Sequence, residues 1–401
     1  MMTSLEKIKE REQSLLCNTY GRYPLAVARA QGCRLYDFDG REYVDLLAGI
    51  AVTNLGHARA DLADVMAEQA RKLVHVSNLF YQEEQLDLAE RLLATCAADR
   101  VFFCNSGADA NEAAIKIARR YMRQVLKRDA YEIVTLENSF HGRTLATLTA
   151  TGQGGRIKEG FGPLPEGFRT APAGDLEAMR AILGEHTAAV LIEVVQGEGG
   201  VRPLSPEYVT GLAALCRERG VLLMVDEVQT GMGRTGRFWA HQHYGITPDV
   251  FTAAKALANG LPMGAMLCTA EVSKGFEPGC HATTFGGGAV LSAVASAVLD
   301  IMRRDHLPER AAELGERAKE RFRALQAKHP ARIVDVRGMG LMLGVELAGH
   351  GKAVWDALLA RGFVCNLSHE KVLRLVPPLV IEEADLTAFA AALDEILAGL
   401  D

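Results

Sequence analysis

Val221-Leu-Leu-Met-Val-Asp-Glu-Val228 is an apolar run interrupted by two acids. A segment this dry reads as a central strand buried on both faces. A carboxylate inside such a strand is costly unless it is paired. Asp226 is therefore expected at the strand's C-terminal end, facing the crevice where α/β sheets bind ligands. A second apolar run, Val250-Phe-Thr-Ala-Ala254, ends on Lys255. A desolvated lysine loses basicity and becomes a nucleophile toward carbonyls. Taken singly, each residue also has a structural reading. Asp226 could be half of an internal ion pair, and Lys255 could extend its amine to water along an apolar stem.

The surrounding sequence predicts how these runs are assembled. Val101-Phe-Phe103 is a short strand that ends in Cys104-Asn-Ser-Gly107. Ala110, Ala114, Ile117, Tyr121 and Val125 then recur at helical spacing. Further strands are expected over 131–136, 188–195, 221–228 and 250–254, with a helix near 206–219 between two of them. Apolar strands alternating with amphipathic helices predict an α/β fold, a mostly parallel central sheet with helices on both faces. From about residue 300 the pattern changes. A charged helix over 309–328, strands around Ile333–Val336 and 341–347, and a closing helix with Leu386, Phe389, Leu393 and Leu397 inward suggest a smaller α+β domain. The expected division is residues 1–50, packing with the small domain, 51–299, the large domain, and 300–401, the small domain.

Composition narrows the function. The chain has 401 residues, 49% hydrophobic and 23% charged, with a net charge of −6. These values suit a globular protein and give no basic footprint for nucleic acid. The charged N-terminus has no apolar stretch of signal-peptide type, and the long apolar run after His281 opens with Ala-Thr-Thr-Phe-Gly-Gly-Gly, so neither export nor a membrane span is expected. The eight cysteines are scattered without a CxxC pair, which favours buried thiols in a reducing, cytoplasmic setting. His241 and His243 have no acidic or cysteine cluster beside them, so no metal is expected. Gly231-Met-Gly-Arg-Thr-Gly236 matches the dinucleotide fingerprint in letters only, because no apolar helix follows it.

A strand-end aspartate with a strand-end lysine suits pyridoxal phosphate. The lysine forms a Schiff base, and the aspartate keeps the ring nitrogen protonated so that the ring acts as an electron sink. Ser106-Gly107-Ala108, ending a strand and opening a helix, offers bare amides and a positive dipole end to the phosphate. Several segments then fall into one pattern: Asn18-Thr-Tyr-Gly-Arg-Tyr-Pro-Leu25, His75-Val-Ser-Asn-Leu-Phe-Tyr81, Asn105-Ser-Gly-Ala-Asp-Ala-Asn-Glu-Ala-Ala114, Phe140-His-Gly-Arg-Thr144, Gln196-Gly-Glu-Gly-Gly200, Asp226 through Gly236, Lys255-Ala-Leu257 and Thr283-Thr-Phe-Gly-Gly287. Together, over nearly the whole chain, they resemble the class III (subgroup II) pyridoxal-phosphate-dependent aminotransferases.

The resemblance implies fold type I and a homodimer with shared active sites. It implies that Lys255 bonds to the cofactor and shuttles the proton, that Asp226 partners the ring nitrogen and that Gln229 reaches the phenolic oxygen. Phe140 and Val228 would flank the ring. Gly107 and Ala108 would hold the phosphate, and Thr284 would reach the phosphate of the partner subunit's cofactor. For substrates it implies Arg143 on the donor's α-carboxylate, a fork suited to that group. Glu198 and Arg374 would form a switch pair that masks the arginine for one substrate and bares it for 2-oxoglutarate.

Tyr23 would line the substrate site. The segment Gly21-Arg22-Tyr23-Pro24 favours N2-acetylornithine as donor over free ornithine, which would place the chain in arginine biosynthesis. N-succinylornithine, N-succinyl-diaminopimelate, ornithine and GABA are the alternative donors. A mutase of the glutamate-semialdehyde type and a non-catalytic binding protein are the readings outside this class. Two segments depart from the family pattern: Gly56-His-Ala-Arg-Ala60 lacks its proline, and Gly287-Gly-Ala-Val-Leu291 lacks its asparagine–proline.

Overall fold

A computed structural model describes residues 5–400. The first four residues, where the charged N-terminal segment begins, and residue 401 lie outside the described residues. The central sheet has seven strands: β1 (Arg100–Cys104), β2 (Glu132–Leu136), β3 (Phe168–Ala171), β4 (Thr187–Ile192), β5 (Leu222–Asp226), β6 (Val250–Ala253) and β7 (Gly264–Cys268). Their order is β1-β7-β6-β5-β4-β2-β3. All run parallel except β7, which is antiparallel to both neighbours. The expected mostly parallel sheet is thus observed.

Side-chain alternation explains why these strands carry so few polar residues. Leu222 and Met224 point into one core with Ala113, Ile117 and Leu191, while Leu223 and Val225 point into the other with Val190, Ile192 and Phe251. Both faces are dry, so an apolar residue is required at every position. The helix Gly107–Arg120 covers the first face. Ser106 caps it, its side chain accepting from the Asp109 amide.

The strand expected over 221–228 ends at Asp226, and Glu227 and Val228 already turn away. The run 188–195 likewise breaks at Glu193, after which Val195–Gln196 pairs with Arg202–Pro203 in a separate ribbon. The helix after Gly107 finishes in a π-turn over Tyr121–Val125. Two strands of the central sheet escaped the sequence reading. β3 is a short edge strand following a glycine, and β7 opens on a glycine just after Gly260-Leu-Pro-Met263. Punctuation of that kind hides a strand.

The C-terminal part folds as a second, wholly antiparallel sheet. It contains β8 (Ile333–Met339), β9 (Met342–Leu347), β10 (Asn366–Ser368) and β11 (Val372–Leu375), in the order β8-β9-β11-β10. The closing helix Glu383–Ala398 buries Leu386, Phe389, Leu393 and Leu397, as expected. Near the N-terminus, Val27–Gln31, Arg34–Asp37 and Glu42–Asp45 form a meander whose last strand pairs in parallel with Phe363–Val364.

The glycine loop 231–236 is a joint between the two sheets. Arg234 is fully buried there and donates to the carbonyls of Leu341 (3.0 Å) and Pro377 (2.6 Å) and to Asn54 Oδ1 (2.5 Å). Burial, opposed by Asp45, pulls its guanidinium down to about 9.

The close approach of β7 to β1 can be tested. A methyl group on Gly264 would stand 2.3 Å from the Ser106 carbonyl oxygen. Gly264→Ala should therefore cost about 1–3 kcal/mol of stability as the strands are pushed apart. Chemical denaturation measures this, and an unchanged midpoint would show that the strands separate freely.

Candidate active site

The C-terminal ends of five strands of the central sheet deliver their loops to one place. The loops carry Asn105–Ala108 after β1, Phe140–Arg143 after β2, Glu193–Glu198 after β4, Asp226–Gln229 at the end of β5 and Lys255 after β6. They line a cavity of about 490 Å³. Lys255, Asp226, Gly107, Ala108, Phe140, Val228, Gln229, Arg143 and Glu198, each singled out from the sequence, all line it.

Asp226 is the best-held group. Its Oδ2 accepts from Asn111 Nδ2 at 2.8 Å and lies 2.8 Å from His141 Nδ1, while its Oδ1 accepts from the Val228 amide at 3.0 Å. Asn111 sits one turn inside the helix Gly107–Arg120. Its Oδ1 accepts from Thr252 of β6 at 2.8 Å, and its amide also donates to the His141 carbonyl. The carboxylate is thus fixed from a helix, a loop and its own backbone. His141 Nε2 is buried and has no partner among the described residues.

Glu193 lies beside this group. It accepts from the Phe140 amide at 2.8 Å and from the Gly197 amide at 3.2 Å, so one carboxyl joins two cavity walls. Burial pushes it up to about 7; His141 opposes the rise and Asp226 adds to it. Lys255 takes a left-handed backbone, φ 47°, to turn its side chain into the cavity. A non-glycine residue held there costs of order 1–3 kcal/mol and persists only where the surroundings impose it. Burial lowers its ammonium below the usual lysine range, with the Glu198 charge opposing.

The helix start at Gly107 is a cradle. Its Cβ, were there one, would lie 2.7 Å from Val228 Cγ1. The bare backbone brings the Gly107 and Ala108 amides to the cavity wall at the positive end of a 14-residue helix. Phe140 and Val228 supply the apolar wall. Arg143 lies over the Phe140 ring, 5.4 Å from its centroid, and has no carboxylate partner among the described residues. It is exposed and available to an anion.

The other side of the cavity is closed by charge. Arg374 is buried in β11 and donates from Nη1 to Glu198 Oε1 at 2.5 Å. Gln229 Nε2 donates to the same Oε1 at 3.3 Å, which leaves Gln229 Oε1 buried without a partner among the described residues. Burial pushes the Glu198 carboxyl up, but Arg374, Lys255 and Gln229 together outweigh that and hold it below its usual range. Its backbone is held too. Ser368 and His369 both bond the Glu198 carbonyl, and Arg337 donates to the carbonyls of Gly200 and Val201.

Three expected site residues stand outside the cavity lining. Arg374 reaches it through Glu198. Tyr23 is joined to Arg374 by Asn366, whose Nδ2 donates to the phenol oxygen at 3.0 Å. Thr284 is exposed and belongs to no part of this chain's cavity. Asn111, His141, Glu193 and Asn366 were not singled out. Glu193 carried the clearest signal, an acid inside an apolar run.

Such a site can bind an anion at the helix start, hold a cation against Asp226 and present from Lys255 an amine made less basic by burial. It fits pyridoxal phosphate by the cradle at Gly107, the slot between Phe140 and Val228 and the unpartnered Gln229 oxygen.

Comparison with known proteins agrees. The family described as Aminotransferase class-III matches residues 17–397. The acetylornithine aminotransferase of Methanothermobacter thermautotrophicus is 44% identical over 396 residues, covering 98% of this chain and 99% of the relative. That of Myxococcus xanthus is 45% identical over 385 residues, 96% of each. Among solved structures, the ornithine aminotransferase of Toxoplasma gondii superposes with a TM-score of 0.95 at 30% identity, covering 99% of this chain and 95% of its own. A second structure of that enzyme is described as having partial occupancy of PLP at its active site. The chain belongs to the class-III aminotransferases and has their fold type I architecture.

The Glu193 carboxyl gives a pH signature. Its raised folded-state value means the folded chain binds a proton that the unfolded chain releases between about pH 4.5 and 7. Its contribution to stability is present below that window and is lost as pH rises through about 7. Glu193→Gln should therefore gain stability relative to wild type as pH rises from 5 to 8, read as the difference in Tm. A constant difference would remove the assignment.

Proposed function

We propose that this class-III aminotransferase moves the terminal amino group of N2-acetylornithine to 2-oxoglutarate, giving N-acetylglutamate 5-semialdehyde and glutamate in arginine biosynthesis, with pyridoxal 5'-phosphate as cofactor. The observation that carries this reading is the Glu198–Arg374 pair, 2.5 Å apart, on the cavity that holds Lys255 and Asp226. The donor reacts at an amine remote from its carboxylate, whereas 2-oxoglutarate reacts beside one. A single pocket serves both only if a cation can be hidden and bared. The names of the relatives support the acetylated donor.

Pyridoxal phosphate supplies an electron sink for the substrate carbon that loses its proton. The chain's residues do the rest. Asp226, aimed by Asn111, His141 and the Val228 amide, would hold a proton on the ring nitrogen. Lys255 Nζ, made less basic by burial, would take the proton from the substrate carbon and return it. The Gly107 and Ala108 amides would hold the phosphate, Phe140 and Val228 would fix the ring plane, and Gln229 would reach the phenolic oxygen. Arg143 would grip the donor's α-carboxylate, with Tyr23 beside the substrate. Glu198 covers Arg374 in the donor half and withdraws in the other, leaving the arginine to the oxo-acid's carboxylate.

A homodimer is part of the proposal, with Thr284 reaching the partner's cofactor phosphate. An exposed apolar patch, Val74, Leu79, Phe80, Tyr81 and Phe285, supports it. Asn78 ties that patch to the Thr284 loop through the carbonyls of Thr283 and Gly286. The eight free thiols suit a reducing, cytoplasmic compartment.

The direct test is a half-reaction panel on the cofactor-loaded protein, with acetylornithine, succinylornithine, ornithine, succinyl-diaminopimelate and GABA ranked by kcat/KM. Acetylornithine should lead, and any other donor in first place overturns the substrate assignment. Separately, Lys255→Ala should lose both the visible absorbance of a lysine-bonded cofactor and turnover. Wild-type turnover in that variant would dismiss the lysine.

A further inference from the structure

Arg374 is held by two groups of different character. One is Glu198, charged and carried on a glycine-flanked loop. The other is Asn366, neutral and carried on the neighbouring strand. β10 and β11 are antiparallel, and their register sets Asn366 directly opposite Arg374. Residues so opposed share a face of the sheet and stand close enough to bond. Arg374 Nε donates to Asn366 Oδ1 at 3.1 Å, and Asn366 Nδ2 donates to the Tyr23 hydroxyl oxygen at 3.0 Å. One carboxamide is thereby used at both ends, which fixes its orientation.

We propose that Asn366 is a specificity-determining positioning residue for the second half-reaction: it keeps the Arg374 guanidinium in place when Glu198 withdraws and sets the Tyr23 hydroxyl beside it. The inference rests on the switch role given to Glu198 and Arg374 above.

Three observations support the assignment. Arg374 is 1% exposed, so a guanidinium deserted by Glu198 needs a second partner to keep its geometry. Asn366 supplies one without charge, and so does not compete with an incoming carboxylate as an acid would. The Tyr23 oxygen already accepts from Asn366, which leaves its own proton to donate elsewhere, and burial holds the phenol above its usual range and thus protonated. Finally, the same short strand anchors the gate. Ser368, two residues on, and the adjacent His369 bond the Glu198 carbonyl. The distance from the gate's backbone to the arginine is therefore set by one element.

The test measures both half-reactions on the cofactor-loaded enzyme, together with the Kd of glutarate, a dicarboxylate with no reacting carbonyl. Asn366→Ala should raise the KM for 2-oxoglutarate about ten- to a hundredfold, the loss expected for one hydrogen bond to a charged group. Donor kcat/KM should stay within about threefold. Asn366→Asp, which adds a second carboxylate to Arg374, should raise the KM further, and glutarate binding should weaken in parallel. Arg374→Ala is the reference. If it leaves 2-oxoglutarate unaffected, the switch reading itself fails. If it impairs 2-oxoglutarate while both Asn366 variants leave it unchanged, or slow the two half-reactions equally, the inference about Asn366 alone falls.

Discussion

Everything at the cavity depends on holding one buried carboxylate in place. Asp226 closes the central strand, 4% exposed, in a place where an unpaired charge would cost several kcal/mol. Among the described residues no lysine or arginine meets it in a salt bridge. It is held instead by Asn111, His141 and a backbone amide, three donors from three different segments. Donors from separate segments fix the carboxylate's position and leave it facing a positive charge brought up against it.

The same division of labour recurs across the cavity. Glu198 and Arg374, the charged groups proposed to change partner, sit on elements fixed by other residues. Arg337, Ser368 and His369 hold the backbone around Glu198, and Asn366 holds Arg374. Glu193 occupies an intermediate position. It binds the amides of Phe140 and Gly197, so the wall that faces the ring and the loop that carries the gate share a single carboxyl.

The legible parts of the sequence were those where burial and charge conflict. Asp226 and Lys255 stood out because each interrupts or ends an apolar strand, and the parallel sheet followed from runs dry on both faces. Glu193 interrupts Ala188-Ala-Val-Leu-Ile192 in the same way, but Val194 and Val195 beyond it let the run read as one unbroken strand. Asn111 and His141 gave less warning, since a neutral polar residue becomes expensive only when its partner is absent. Asn366 could not be read at all: its meaning lies in a cross-strand register that no single segment encodes. Thr284 entered only through the family resemblance, because it is exposed and lines no part of this chain's cavity. The glycine motif at 231–236 misled only in its letters, because what it shapes is the seat of Arg234.

Arg234 also bears on tempo. Its guanidinium spans the joint between the sheets, and sliding β11 away from the glycine loop would strip its bonds to Leu341, Pro377 and Asn54 in a dry interior. The joint behaves as a rivet rather than a hinge. On the proposed switch, changing from one substrate to the other then falls to the Glu198 side chain, a local rearrangement rather than a domain closure, which takes microseconds to milliseconds. A riveted frame leaves selection to one side chain rather than to the movement of a domain.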